Sequence, residues 1–178
     1  MKFAKLLCII VALAIMLSAC TLDLKQLIGF EDSDKAANDS CAQIVEAMKK
    51  QDTVALKSLF APAVQDNIDT LEQDIATLFN FIQGDITSFS QANTLYDYTS
   101  NHGERTRNIR PSFSIETSTN LYYMSFKECI MDTQNPHNTG ISSIYVVDAA
   151  VWNSEYVYGG ADRQWTPGVH IDTVACPY

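Results

Sequence analysis

Read from its N-terminus, the chain changes the period of its apolar residues twice. Every residue from Leu6 to Leu17 is apolar, behind Lys2 and Lys5 and ahead of Ser18 and Ala19. That run of 12 is too short to cross a bilayer, which takes about 20 apolar residues. A positive head, a short apolar run and small residues make a secretory signal over 1–19. Residues 20–35 read as a tether ending in the polar Glu31-Asp32-Ser33-Asp34.

The period then becomes helical. Ala37, Cys41, Ile44, Val45 and Met48 recur at i, i+4, i+7, i+8 and i+11, which predicts a helix over 35–51 with Asp34 as its N-cap. A short helix over 53–60 follows Asp52 as cap, and Pro62 ends it. Ile68, Leu71, Ile75, Leu78, Phe79 and Ile82 form one stripe, predicting a third helix over 63–82, with Gly84 placed past its C-terminus. Beyond Gly84 the period drops to two and Thr, Ser, Tyr and Phe dominate. Strands are predicted at 85–98, 111–118, 120–132 and 140–152, with a short last one at Gly168-Val169-His170-Ile171. Residues 99–110, with Gly103 and three arginines, read as a polar loop, and 133–140 as a turn. Helices first and strands after mean α+β, with the two kinds of element segregated.

Composition narrows the function classes. Cleavage before Cys20 leaves 159 residues, enough for one domain, and removes Lys2 and Lys5, so the formal charge goes from −9 to −11. An acidic chain is a poor partner for nucleic acid, whose binding rests on Lys and Arg neutralising phosphates. Of the five cysteines, Cys8 leaves with the signal. Cys41, Cys129 and Cys176 leave open one disulfide with a free thiol, or none. With no CxxC motif and no Cys/His cluster, no metal site is expected, and no cofactor motif is present.

Two resemblances add to this. Leu17-Ser18-Ala19-Cys20 resembles a bacterial lipobox, which implies lipidation of Cys20 and a domain held on the extracytoplasmic face of the cell membrane. The element order resembles the nuclear transport factor two-like (SnoaL-like, cystatin-like) architecture, in which three N-terminal helices lean on a curved antiparallel sheet and close a cone. Closer still, several segments resemble a family of Firmicutes lipoproteins defined by a domain of unknown function (5104). They are Ala47-Met48-Lys49-Lys50-Gln51-Asp52 with Leu56-Lys57-Ser58-Leu59-Phe60, Phe79-Asn80-Phe81-Ile82-Gln83-Gly84, Asp132-Thr133-Gln134-Asn135-Pro136-His137-Asn138-Thr139-Gly140, and Asp162-Arg163-Gln164-Trp165-Thr166-Pro167-Gly168-Val169. This resemblance spans about 36–172, leaves 173–178 as a tail, and implies a fold without implying an activity. Proteins of this architecture often pair their sheets, so a homodimer stays open.

Candidate chemistry follows from strand parity. In 121–132, Tyr122, Met124, Phe126, Glu128, Ile130 and Asp132 share the more apolar face, which is assigned inward. In 140–152, Ile144, Val146, Asp148, Ala150 and Trp152 share a face. Tyr122, Met124, Phe126, Glu128, Asp148 and Trp152 are therefore the expected lining of a ligand pocket. Glu128 and Asp148, with Tyr122, form the candidate catalytic set, in the manner of ketosteroid isomerase-like enzymes, where burial fits a carboxylate for acid–base work. Against this stand a Glu128 at the open rim or paired with an arginine, and a single bulge, which would invert the parity. His102, His137 and His170 show no ligand spacing. Arg105, Arg107 and Arg110 offer an anion site, with Asp97 and Glu104 near enough to neutralise it. Aromatics concentrate in the sheet half and suit stacking on a flat ligand.

The expectation is a lipid-anchored, non-catalytic module that binds a small molecule or an envelope partner. A pocket enzyme and a scaffold with a filled cone are the alternatives.

Overall fold

In the computed structural model, residues 32–150 and 165–172 are described here. The signal 1–19, Cys20, tether residues up to 31, Trp152 and Cys176 lie outside them. The chain divides into two compact units, Met1–Lys35 and Ala36–Tyr178, and the architecture below is that of the second. It is α+β, with helices first and then a five-stranded, mostly antiparallel open sheet.

Helix α1 covers residues 32–50, of which 36–50 belong to this unit. Asp34 lies inside the helical run and is not its cap, since the helix starts earlier than the apolar spacing shows. Ala37, Cys41, Ile44, Val45 and Met48 are all buried. The helix ends at Gln51, whose φ of 52° turns the chain so that the Asp52 N–H reaches the Ala47 carbonyl at 2.9 Å. Asp52 then caps α2 (Thr53–Ser58), its carboxylate accepting from the Ala55 N–H at 2.9 Å.

The predicted third helix is two helices, α3 (Pro62–Asn67) and α4 (Leu71–Phe81). Pro62 opens α3 at a position where its missing N–H costs nothing. The break falls at Ile68, which takes an extended conformation. Val64, Ile68, Leu71 and Ile75 keep helical spacing, so periodicity alone runs through it. Local polar bonds arrest the helix there: Asn67 Nδ2 donates to the Ala63 carbonyl at 2.7 Å and Thr70 Oγ1 to Asp74 Oδ2 at 2.8 Å. The break leaves α3 beside the β3–β4 turn and α4 beside the last strand.

The sheet order is β1-β2-β3-β4-β5, from β1 (Ile86–Asn101), β2 (Glu104–Thr117), β3 (Leu121–Asp132), β4 (Gly140–Asp148) and β5 (Gly168–Asp172). The first four form an antiparallel meander, and β5 joins β4 in parallel. The polar loop predicted over 99–110 is instead the tip of a long ribbon. His102 and Gly103 take φ of 48° and 93°, the two left-handed residues of a tight hairpin turn, which lets Asn101 pair with Glu104. The charged residues beside that turn masked the alternation.

The core lies between the helices and one sheet face. Ile109, Phe113 and Ile115 of β2, Tyr122, Met124 and Phe126 of β3, and Ile144 and Val146 of β4 join the helical stripe residues there. Phe113 and Phe126 stack at 6.0 Å, and Phe89 meets Phe113 edge-on at 6.1 Å. Each such side chain contributes about 1.5–3 kcal/mol on burial. The other face of the central strands is covered as well. Ser125, Ser143, Tyr145 and Val147 are buried, and Trp165 and His170 pack on Tyr145 at 5.6 and 4.4 Å. A strand buried on both sides fits β4's nearly continuous apolar run and its parallel partner.

Candidate functional site

Parity places Glu128 as the sequence predicts, but a bulge sets its environment. Its cross-strand partners, Ile109 and Ile141, both belong to the helix-facing core. The β3–β4 register slips between Lys127 and Glu128, skipping Ser142, whose hydroxyl donates to the Lys127 carbonyl at 3.2 Å. Such a slip bends the strand and re-aims the side chain beside it.

Glu128 thereby lines a cavity of about 390 Å³ between α1, the α2–α3 junction and the start of β4. Backbone bonds join the segments around it. The Ala61 N–H donates to the Ile141 carbonyl and the Ile141 N–H to the Leu59 carbonyl, each at 2.9 Å. Gly140, at φ 127°, permits this approach, since a Cβ there would stand 2.8 Å from the Ala61 nitrogen. Leu59, Pro62 and Ile130 supply apolar wall.

Burial pushes the Glu128 carboxyl above the ordinary glutamate range, and a hydrogen bond from the Ser40 hydroxyl offsets part of that. Oε2 of Glu128 is closed to solvent and has no hydrogen-bond partner. Three other polar side chains of the cavity direct a donor into the protein, and Thr139 lines it as well. Gln43 Nε2 donates to the Asp39 carbonyl at 3.3 Å, Ser58 Oγ to the Ala55 carbonyl at 2.7 Å, and Gln65 Nε2 to the Phe60 carbonyl at 2.7 Å.

The remaining candidates lie elsewhere. Asp148 pairs with Tyr122 in the register, six residues along β3 from Glu128, or about 20 Å at strand rise. The two carboxylates are therefore not brought together. Asp148 accepts from the Ala150 N–H at 2.8 Å and from Asn120 Nδ2 at 3.3 Å. The Tyr122 hydroxyl accepts from the Gln83 N–H at 2.9 Å and Asn120 Nδ2 at 3.2 Å and donates to the Phe81 carbonyl at 3.3 Å. That tyrosine ties the end of α4 to the sheet. Met124 and Phe126 are core residues and line neither this cavity nor a second, of about 330 Å³, between Met48, Lys49, Phe79, Ile82 and Asp85.

The arginines belong to β2 and make no loop cluster, because they sit on a paired strand. Arg110 bonds Asp97 at 3.1 Å, and the Arg105 N–H donates to Thr133 Oγ1 at 2.8 Å. The histidines have separate partners: His102 with Asn101, His137 with Asp66 at 2.9 Å, and His170 with the Thr166 carbonyl at 2.8 Å. Cys41 and Cys129 are buried free thiols, and burial pushes Cys41 up to about 12. Among the described residues no three His, Cys, Asp or Glu converge on a metal position, and no helix is long and apolar enough to cross a membrane.

The sequence reading missed Ser40, Gln43, Ser58 and Gln65. Ser40 carries one usable signal, because it stands three residues after Ala37 and four before Ile44, at the edge of the buried stripe.

A family profile described as Domain of unknown function (DUF5104) matches residues 43–149. The chain belongs to that family. The DUF5104 match runs from Gln43 in α1 to the residue after β4. It therefore takes in Gln43, Ser58, Gln65 and Glu128, while Ser40 and β5 lie beyond it. No curated protein matches the chain.

Proposed function

We propose that this protein is a lipid-anchored, extracytoplasmic binding module, non-catalytic, that takes a small molecule or an envelope fragment in the cavity beside Glu128. The observation that carries the reading is a cavity of about 390 Å³ with one half-buried carboxyl, Glu128, in its wall. Small-ligand sites are concave, mostly apolar and set by a few fixed polar groups. The anchor rests on Leu17-Ser18-Ala19-Cys20, with Cys20 as the lipidated residue. Two or more acyl chains hold a protein stably on a membrane, where one holds it only marginally. The finer fold assignment, a nuclear transport factor two-like cone, is part of the same proposal. It draws on the order of helices and strands and on the helix-facing core.

Two experiments test the reading. Radiolabelled palmitate should enter the wild type and not Cys20→Ala; equal labelling of both rejects the anchor. A thermal-shift screen over metabolites and envelope fragments should give hits that are lost in Gln43→Trp, which blocks the cavity from an exposed helical position. Hits that survive the block place the ligand elsewhere, and no hits reject a binding role. The rival, a pocket enzyme, draws on the raised pKa of Glu128. It lacks a partner acid there, since Asp148 is at the far end of β3.

A further inference from the structure

The donor and acceptor pattern of the cavity points to a ligand class. Ser40, Gln43, Ser58 and Gln65 each commit a hydrogen to a protein acceptor. For the two glutamines that acceptor is a backbone carbonyl, which can only accept, so their amide orientation is fixed with nitrogen toward the protein. Both glutamine Oε1 atoms are left uncommitted, as is the second N–H of each amide. Ser58, its proton spent, offers only lone pairs, and the Thr139 hydroxyl also lines the cavity. Glu128 is the one ionisable side chain among the residues lining the cavity. Nothing in that lining carries positive charge, and the whole chain is acidic at −9.

A lining with one acid and no cation disfavours anions, which would meet the Glu128 carboxyl and no positive charge. It favours a compact group made of donors. An ammonium has three N–H donors, no acceptor and a positive charge. It also supplies the positive charge that the Glu128 carboxyl lacks, since the one group assigned to it is the neutral Ser40 hydroxyl. Leu59, Pro62 and Ile130 give an apolar surface for the body that carries it.

We propose that the cavity recognises a small primary ammonium on an apolar body, with Glu128 as its counter-ion and the oxygens of Gln43, Ser58 and Gln65 as further acceptors. This rests on the cavity being a binding site and adds the class of ligand.

Three probes of one shape separate the two claims: benzylammonium, benzyl alcohol and benzoate. Each is titrated by NMR into the detergent-solubilised full chain at neutral pH. Benzylammonium should bind at least about tenfold tighter than the alcohol, the scale of one charge-assisted hydrogen bond, and benzoate should bind weakest. Glu128→Gln should bring the ammonium down to the level of the alcohol, while amide NMR signals of the variant outside the cavity stay in place and show the fold intact. Should that variant fail to fold, the wild-type preference for ammonium over benzoate decides. Benzoate or alcohol binding as tightly as the ammonium overturns the ligand class and leaves the binding role standing, as does an ammonium preference that survives Glu128→Gln. If none of the three probes binds while the wider screen yields hits blocked by Gln43→Trp, the ligand class again falls alone. If nothing of any charge binds, both claims fall.

Discussion

At one end of β3, Tyr122 hands its hydroxyl to three partners, and Asp148 across from it is held by the Ala150 N–H and Asn120. At the other end, Glu128 is half-buried and lines a cavity, yet keeps one oxygen closed to solvent with no partner. Both ends lie on the same helix-facing side of the same strand, and both bury an oxygen-bearing side chain. Where every buried polar atom is paired, the group rigidifies the fold. Where one is left over, the protein bears a cost of roughly 1–3 kcal/mol. The contrast is between a group that ties the fold together and one that costs it stability.

Breaking the paired end should have the largest effect. Tyr122→Ala empties an aromatic site that is 1% exposed and packs on Phe81 at 5.4 Å. Chemical denaturation should show a loss of about 3–5 kcal/mol. Tyr122→Phe keeps the ring and leaves the Gln83 N–H without its acceptor, so the expected loss is about 1–2 kcal/mol. A neutral result for Tyr122→Phe would remove the distinction between the two ends.

The cavity end should respond with the opposite sign. The folded-state pKa of Glu128 is raised above its unfolded value of about 4.3. The folded protein therefore holds the proton more tightly than the unfolded chain does. That contribution is full below the unfolded value and is lost as pH rises through the folded one. Glu128→Gln, which stays neutral throughout, should match the wild type near pH 4 and exceed it at neutral pH by about 1 kcal/mol. Denaturation at both pH values reads this, and a variant less stable than wild type at neutral pH would mean that Glu128 is paired after all.

The smallest effect sharpens the contrast with a solvated acid on the same strand. Asp132 is held below the ordinary aspartate range by the Asn135 N–H, then by the Asn138 side chain, with a further bond from the Gln134 N–H. Its stabilising contribution is present above the unfolded pKa and lost as pH falls through the folded one. Carboxyl NMR should see Glu128 titrate above, and Asp132 below, their ordinary values. Matching shifts in one direction would contradict the comparison.

How much of this was legible in the sequence depended on whether a signal was local. The α1 stripe, the Asp52 cap and the inward set Tyr122, Met124 and Phe126 all emerged from spacing, because a helix or strand imposes its period on whatever it buries. The break at Ile68 did not, since Val64, Ile68, Leu71 and Ile75 satisfy the helical period across it. The β1–β2 hairpin tip was hidden for the opposite reason. Two residues at positive φ make the turn, while the charges around them mimic a loop. Of the expected pocket lining, Glu128 reaches a cavity, whereas Tyr122, Met124 and Phe126 fill the core. Parity tells which side a residue faces and says nothing about whether space remains there.

By itself, then, the sequence determined the α+β order, the acidic balance, the helix faces and the side of the sheet on which Glu128 stands. These are properties of period and composition, carried by neighbours a few residues apart. Only the tertiary structure decided that Asp148 and Glu128 stand at opposite ends of β3. It alone decided that the register slips beside Glu128, and that Ser40, Gln43, Ser58 and Gln65 line one cavity with that carboxyl. Those facts depend on which backbone groups of distant segments pair, as Leu59–Ala61 does with Ile141, and no local period encodes that pairing.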